Sequence, residues 1–376
     1  MSIRQMFPGS IVKPGFNPLA AQTPSYTYEL YSWGDNQFGQ LGINSTANKS
    51  SPNQVGALTD WLSIVTRYNT LALKTNGTIW TWGRNTFGAL GLGNTTYYSS
   101  PKQVGSLTTW SVVSTINNAS MALKSDGTLW TWGYNAFGAL GLGDTTNRSS
   151  PVQVGALTNW AKISTGANLG GFAITTSGVL YGWGYNIAGA LGLGNTTNYS
   201  SPKQIGSLTT WSSVVSGIQN TYAIKTDGTF WAWGNGNYGA LGLGNTTYYS
   251  SPKQVGALTN WLQVSASEYS ALAVKTDGTL WSWGDGGSGV LGLGNTSNYS
   301  SPKQVGALTT WTAVRLGKNF AIASKTDGTI WTWGNNTLGE LGLGNTANRS
   351  SPVQIGSLAT WGYITAGGQS TFALAF

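Results

Sequence analysis

The chain has 376 residues, including 54 Gly and 19 Trp, with no Cys, no His and only 8% charged side chains. The missing imidazoles and thiols exclude His- or Cys-dependent catalysis, the common zinc sites and any disulfide framework. A net charge of +8 is spread thinly over this length, so it permits weak attraction to anionic surfaces without demanding a nucleic-acid partner.

Residues 1–25 read as an extended arm, punctuated by Pro8, Gly9, Pro14, Gly15 and Pro18, with Arg4 and Lys13 as its cations. The opening MSIRQMFPGSIVKPGF lacks the continuous apolar stretch expected of a secretory signal. No run approaches the roughly 18 apolar residues of a membrane span. With 12% aromatic and 40% hydrophobic residues, the chain has the means to offset its ordering entropy.

From residue 26 to 376 the chain repeats. A Trp-Gly pair recurs at Trp33, Trp82, Trp132, Trp183, Trp233, Trp283 and Trp333, spaced by 49 to 51 residues. Each is followed by a Ser-Pro pair, with proline at 52, 101, 151, 202, 252, 302 and 352, and then by a second Trp at 61, 110, 160, 211, 261, 311 and 361. Trp80, Trp130, Trp231, Trp281 and Trp331 complete the nineteen, and Tyr31 and Tyr181 fill the two remaining places of that set. Every tryptophan therefore has a structural address before any function is considered.

Within one unit, Thr128-Leu129-Trp130-Thr131-Trp132 alternates as a strand with both indoles on one face. An Asp-Gly turn, Ser125-Asp126-Gly127-Thr128, joins it to a preceding strand carrying Met121 and Leu123. The run SPVQV predicts another short strand beginning at its proline. Several strands per fifty-residue unit, repeated seven times, predict an all-β, seven-bladed propeller over residues 26–376. The chain ends at Thr371–Phe376, midway through a unit, and starts at Tyr28–Trp33 with the half that the last unit lacks. The N-terminal strand is thus expected to complete the last blade and remove both open edges.

The run W-G-x-N-x-x-G-x-L-G-L-G, at Trp82–Gly93 and Trp132–Gly143, followed by P-x-x-V, resembles the regulator of chromosome condensation repeat. The hairpin A-L-K-x-D-G-T-L-W-x-W-G resembles it as well. The resemblance covers residues 26–376 and implies the circularly closed propeller, but no single activity. Family members include a nucleotide-exchange factor with a basic chromatin-binding tail and plant ultraviolet photoreceptors with a Gly-Trp-Arg-His-Thr motif. The arm here has no basic cluster, no blade carries a long insertion, and Asn117-Asn118-Ala119-Ser120 stands where that motif would be. Neither activity is expected of this chain.

Three repeated features have a plain structural explanation. The Gly-Leu-Gly-Asn loops open no helix and carry no Lys-Ser/Thr, so they are turns rather than phosphate cradles. Asp126, Asp227, Asp277 and Asp327 sit one per blade, too dispersed for a metal ring. Lys74, Lys124, Lys225, Lys275 and Lys325, with Lys102, Lys203, Lys253 and Lys303, form two rings of solvated cations. The eleven acids are scattered, so no catalytic residue, metal or cofactor is expected.

Units that are near copies elsewhere diverge in two loops. Before the Ala-Leu strand stand Arg67, Tyr68, Asn117, Asn118, Asn168, Gln219, Asn220, Glu268, Tyr269, Lys318, Asn319 and Phe320. After Trp-Gly stand Arg84, Tyr134, Tyr185 and Asp285. Tyr, Arg and Asn on rigid loops suit a binding face, and in partner-binding members of the family these two loops resemble the contact face. A third loop offers Tyr97-Tyr98, Tyr199, Tyr248-Tyr249 and Tyr299 for stacking on sugars or protein.

Low charge and Gly/Asn/Ser/Thr-rich near-copies suit an exposed particle component. The leading expectation is a non-enzymatic structural or adhesive propeller on a virion such as a tailed phage, or on an extracellular surface, bound to a neighbouring subunit or a host glycan. The alternatives are a soluble bacterial protein- or carbohydrate-binding module and a cytoplasmic exchange factor or chromatin binder.

Overall fold

The computed structural model describes residues 28–115, 118–166 and 170–376, and the expected arm lies outside them. Seven four-stranded antiparallel sheets form a ring. In the first blade the strands Trp61–Thr66, Asn69–Lys74, Ile79–Gly83 and Tyr98–Gln103 lie side by side in that order. First strands of successive blades touch one another around the ring, so they line the axis and the fourth strands form the outer wall. The hydrophobic cores sit between blades. Leu71, Ile79 and Val104 of one blade pack with Trp110, Val113 and Trp132 of the next.

Closure follows the expectation, with two N-terminal strands rather than one. Trp361–Gly367 and Ser370–Ala375 supply the inner half of the seventh blade, and Glu29–Gly34 and Lys49–Gln54 supply its outer half. Leu30 faces Leu374 and Trp33 faces Thr371 in this seam. Pairing the first strand of the ring with the last leaves no sheet to fray from a terminus.

The Trp-Gly tryptophans hold neighbouring blades together. Each indole reaches into the preceding blade and donates from Nε1 to a backbone carbonyl at 2.8–3.1 Å, from Trp82 to Gln40 through to Trp33, which reaches Glu340 across the closure. A glycine makes room for each: a Cβ on Gly42, Gly91, Gly141, Gly192, Gly242, Gly292 or Gly342 would lie 2.7–3.0 Å from that indole nitrogen. Two residues on, the same loop donates a backbone N–H to a serine carbonyl of the next blade's outer strand, at 2.7–2.8 Å in all seven. The Gly-x-Leu-Gly-Leu-Gly run is therefore an inter-blade joint. At its last position the closing blade has Asn44, in the left-handed backbone that asparagine tolerates.

The second tryptophans, at the start of each inner strand, are buried and stand edge-to-face against the aromatic residue of the third strand, with ring centroids 5.2–6.4 Å apart. Their indole N–H groups have no oxygen or nitrogen acceptor in any blade. The neighbouring π surfaces offer the weak acceptor that such an N–H can use.

The outermost strand corrects one expectation. It begins at Arg148 in the second blade, three residues before the proline, and Pro151 falls where the register shifts between Arg148 and Val152. An edge strand tolerates the missing donor at a bulge.

Gly192→Ala would force a Cβ to 2.7 Å from the Trp233 indole nitrogen at φ +74°, whereas Gly206, at φ +61°, has nothing within 4 Å. Gly206→Ala should therefore cost about 1 kcal/mol of backbone strain. Gly192→Ala should cost roughly 2 kcal/mol more, because the joint must move as well. Equilibrium denaturation of the two variants measures the difference.

Candidate functional site

The inner hairpins, at residues 67–68 in the first blade, and the long outer loops, at 84–97, emerge on the same side of the ring. The Asp-Gly turns and the inter-blade connections occupy the other side. In the six blades whose two divergent loops are both described, the loops are also bonded directly. Arg84 N donates to Tyr68 O at 3.0 Å, Tyr134 N to Asn118 O at 2.7 Å and Asp285 N to Tyr269 O at 3.0 Å. Below them a buried asparagine fixes the long loop. Asn85 donates from Nδ2 to the carbonyls of Asn94 and Thr96, both at 3.0 Å, and accepts from Leu90 N at 2.9 Å. The asparagine of the Trp-Gly-x-Asn motif is thus structural, and the residue before it is half-buried at Arg84, Tyr134, Tyr185 and Asn335 and buried at Asp35.

What fills this loop face is aromatic. Phe38 of the seventh blade meets Tyr68 of the first at 5.8 Å and Tyr97 at 5.9 Å, with the Arg84 guanidinium 5.1 Å from the Phe38 ring. Phe87 meets Tyr134 at 4.4 Å, Phe137 meets Tyr185 at 4.9 Å and Tyr238 meets Tyr269 at 5.1 Å, each pair bridging two blades. Phe137 and Tyr238 are nearly half exposed. Both hold left-handed backbone, at φ 59° and 58°, a conformation that costs a bulky residue roughly 1–3 kcal/mol.

The other predicted face residues divide into three groups. Arg67, Glu268, Gln219, Asn118 and Asn319 are half-buried in the hairpins, and Lys318 is exposed. Burial pulls the Arg67 guanidinium below its usual range, opposed by Tyr68 and Glu268, and its Nε has no acceptor. Burial, then Glu268, pushes the Tyr269 phenol up. Asn117 and Asn168 lie outside the described residues. Asn220 and Phe320 are corrections, since both are buried as the first residues of their second strands, where side chains turn into the blade. Asn220 instead ties two blades, donating to Glu268 O at 2.9 Å. Phe38, Phe87, Phe137 and Tyr238 escaped the sequence reading, although all four stand at the sixth position of the Trp-Gly motif.

The lysines are not free rings. Lys74, Lys124, Lys225, Lys275 and Lys325 hold Nζ 3.5–4.5 Å from the ring centre of the third-strand tryptophan. Lys102, Lys203, Lys253 and Lys303 lie 5.6–5.8 Å from Tyr98, Tyr199, Tyr249 and Tyr299. Those four tyrosines are half-buried on the outer strand, so of the third-loop tyrosines only Tyr97 and Tyr248 are exposed. Among the described residues no three acidic side chains converge as a metal site, and no helix is long and apolar enough to cross a membrane.

Fold and site together define a seven-bladed propeller with an aromatic-studded loop face. The sequence profile of the Regulator of chromosome condensation (RCC1) repeat matches residues 29–66, 76–123, 126–172, 177–224, 227–274, 277–324 and 327–374, and the chain belongs to that family. Each matched unit runs from the outer strands of one blade into the inner strands of the next. The fold is similar to that of Prp20p from Saccharomyces cerevisiae, with a TM-score of 0.82 and 19% identity over 94% of this chain and 92% of that one. It is equally similar to human WBSCR16, with a TM-score of 0.83 and 19% identity over 93% and 98% of the two chains. No curated protein sequence matches the chain significantly.

The Asp-Gly turns yield a pH prediction. The hydroxyl and then the backbone N–H of the following threonine hold Asp126, Asp227, Asp277 and Asp327 below the usual carboxylate range. Such a group stabilises the fold above its unfolded pKa of about 3.9, and that contribution is lost as pH falls through the lower folded value. Asn76 makes the same contacts in the first blade, accepting from Thr78 N at 3.1 Å and Thr78 Oγ1 at 2.7 Å. Replacing all four aspartates by asparagine should therefore leave the fold intact and flatten the fall in melting temperature below about pH 4.

Proposed function

We propose that the chain is a non-catalytic binding propeller whose loop face holds a protein partner. The observation that carries this reading is the set of half-buried aromatic pairs, with Arg84 among them and Phe137 and Tyr238 exposed, that straddle blade boundaries on the face where the repeats diverge. Aromatic and Arg anchors on a rigid support lose little conformational entropy on binding and dominate interface energies. Two structures of the yeast relative support a binding role for the fold: one concerns the binding of Prp20p to Gsp1p and histones, the other is its complex with Kap60. The low charge and the near-identical Gly/Asn/Ser/Thr-rich units support a place on a virion or extracellular surface, with residues 1–25 as the tether to a neighbouring subunit.

Sedimentation of the native source tests the reading. The chain should travel with a large particle in a salt-resistant manner, and deleting residues 1–25 should release it. Changing Tyr68, Tyr134 and Tyr269 together to Ala should weaken partner binding by roughly a hundredfold or more, as loss of several anchors does. A slow-sedimenting monomer indifferent to the arm would instead support a free binding module.

A further inference from the structure

The outer wall of the ring is grooved between neighbouring blades. The groove between the third and fourth blades encloses about 340 Å³ and that between the fourth and fifth about 400 Å³. Small-molecule sites start at roughly 300 Å³. In the first groove Trp231, Pro252 and Leu208 supply apolar surface, and Ser251 and Gln204 supply a hydroxyl and an amide. The second repeats this set with Trp281, Pro302, Leu258, Ser301 and Gln254. Gln204 donates from Nε2 to Gly206 O at 2.9 Å, which leaves its Oε1 as an acceptor.

The same residue types recur in all seven blades: Ser-Pro, then Gln, then Leu, beside a third-strand aromatic that is Trp in five blades and Tyr31 or Tyr181 in the others. The leucine is the informative member. It is 44–54% exposed in every blade, although its neighbours in the turn vary between Ala and Ser before it and Thr and Ala after it. Loops on the opposite face have diverged freely from the same units. Core packing explains retention of the buried positions, but it does not explain seven half-exposed leucines.

Charge narrows the ligand. Lys275, the lysine that lines the second groove, already sits 3.8 Å from the Trp281 ring centre and beside Asp277 of its own turn, and the first groove is lined by no lysine. That arrangement disfavours an anionic surface and suits a molecule with C–H faces for the indole and hydroxyls for the serine and amide. We propose that the grooves bind pyranose rings of an uncharged glycan, making the ring a multivalent saccharide binder. This surface is separate from the loop face, so either reading can fail alone.

The test applies saturation-transfer NMR to the full chain with the methyl glycosides of glucose, galactose, mannose, fucose and N-acetylglucosamine. Calorimetry follows with the same sugars carried on polyacrylamide. Transfer to the ring protons of one or more glycosides is expected, and the polymer should bind about a hundredfold or more tighter through avidity. The double variant Leu208→Asp, Leu258→Asp alters exposed side chains only. It should keep its near-ultraviolet circular dichroism and lose two glycoside sites from the stoichiometry. Absence of transfer from all five glycosides would overturn the proposal, as would an unchanged stoichiometry in the folded variant. Binding to vesicles of phosphatidylcholine and phosphatidylserine without glycoside binding would assign the leucines to a membrane surface and overturn it equally.

Discussion

The architecture depends on an indole that crosses from each blade into the one before it. A four-stranded sheet of six-residue strands buries too little to stand alone, and repeat folds gain their stability at the interfaces between units. Here the interface is defined by a buried donor, the Trp-Gly indole, whose acceptor is a backbone carbonyl two residues before the glycine that makes room for the ring. Because the bond reaches the backbone, it fixes the position of the neighbouring chain irrespective of that chain's side chains. The contact is made seven times, the last by Trp33 to Glu340, and the ring closes with no blade left without it.

That joint divides the surface into parts with different freedom. The loops after Trp-Gly are held from below by asparagine in five blades, while Gly236 and Gly286 replace it in the other two, so their tips need not contribute to stability. They have diverged. The outer wall and the Asp-Gly side carry the joints and the edge-to-face aromatic pairs, which recur in all seven blades, and the lysines over indoles, which recur in five. One face is consequently asymmetric and suited to a single partner surface. The other is sevenfold, and a repeated ligand is what can use all of it.

The fold was legible from the residues because each tryptophan set marks one strand position, and the arithmetic of where the chain starts and stops revealed the closure. Strand ends were less legible. The proline misled because its missing donor is absorbed by a bulge inside the edge strand, which a sequence pattern does not distinguish from a strand start. At the binding face the loops were identifiable by their divergence, yet Phe320 and Asn220 were misplaced. Both adjoin the hairpin in sequence, but pairing with the third strand turns them inward, at Gly334 and Gly234 respectively. Phe38, Phe87, Phe137 and Tyr238 were missed for a different reason: nothing in the sequence marks which way an aromatic in a Gly-rich loop points, and only the three-dimensional course of the loop brings it against the neighbouring blade.

The lysines show why repetition alone does not identify a functional ring. Nine cations in two registers suggest a basic surface, but every one of them lies over an aromatic ring of its own blade. A cation placed over a π face is already paired, at about 0.5–1 kcal/mol where exposed, and aspartates on the same turns offset four of the charges. Nine of the chain's 19 cations are thus held against aromatic rings of the fold itself. Inferring a polyanionic partner from composition alone would count cations that already have a partner within the fold.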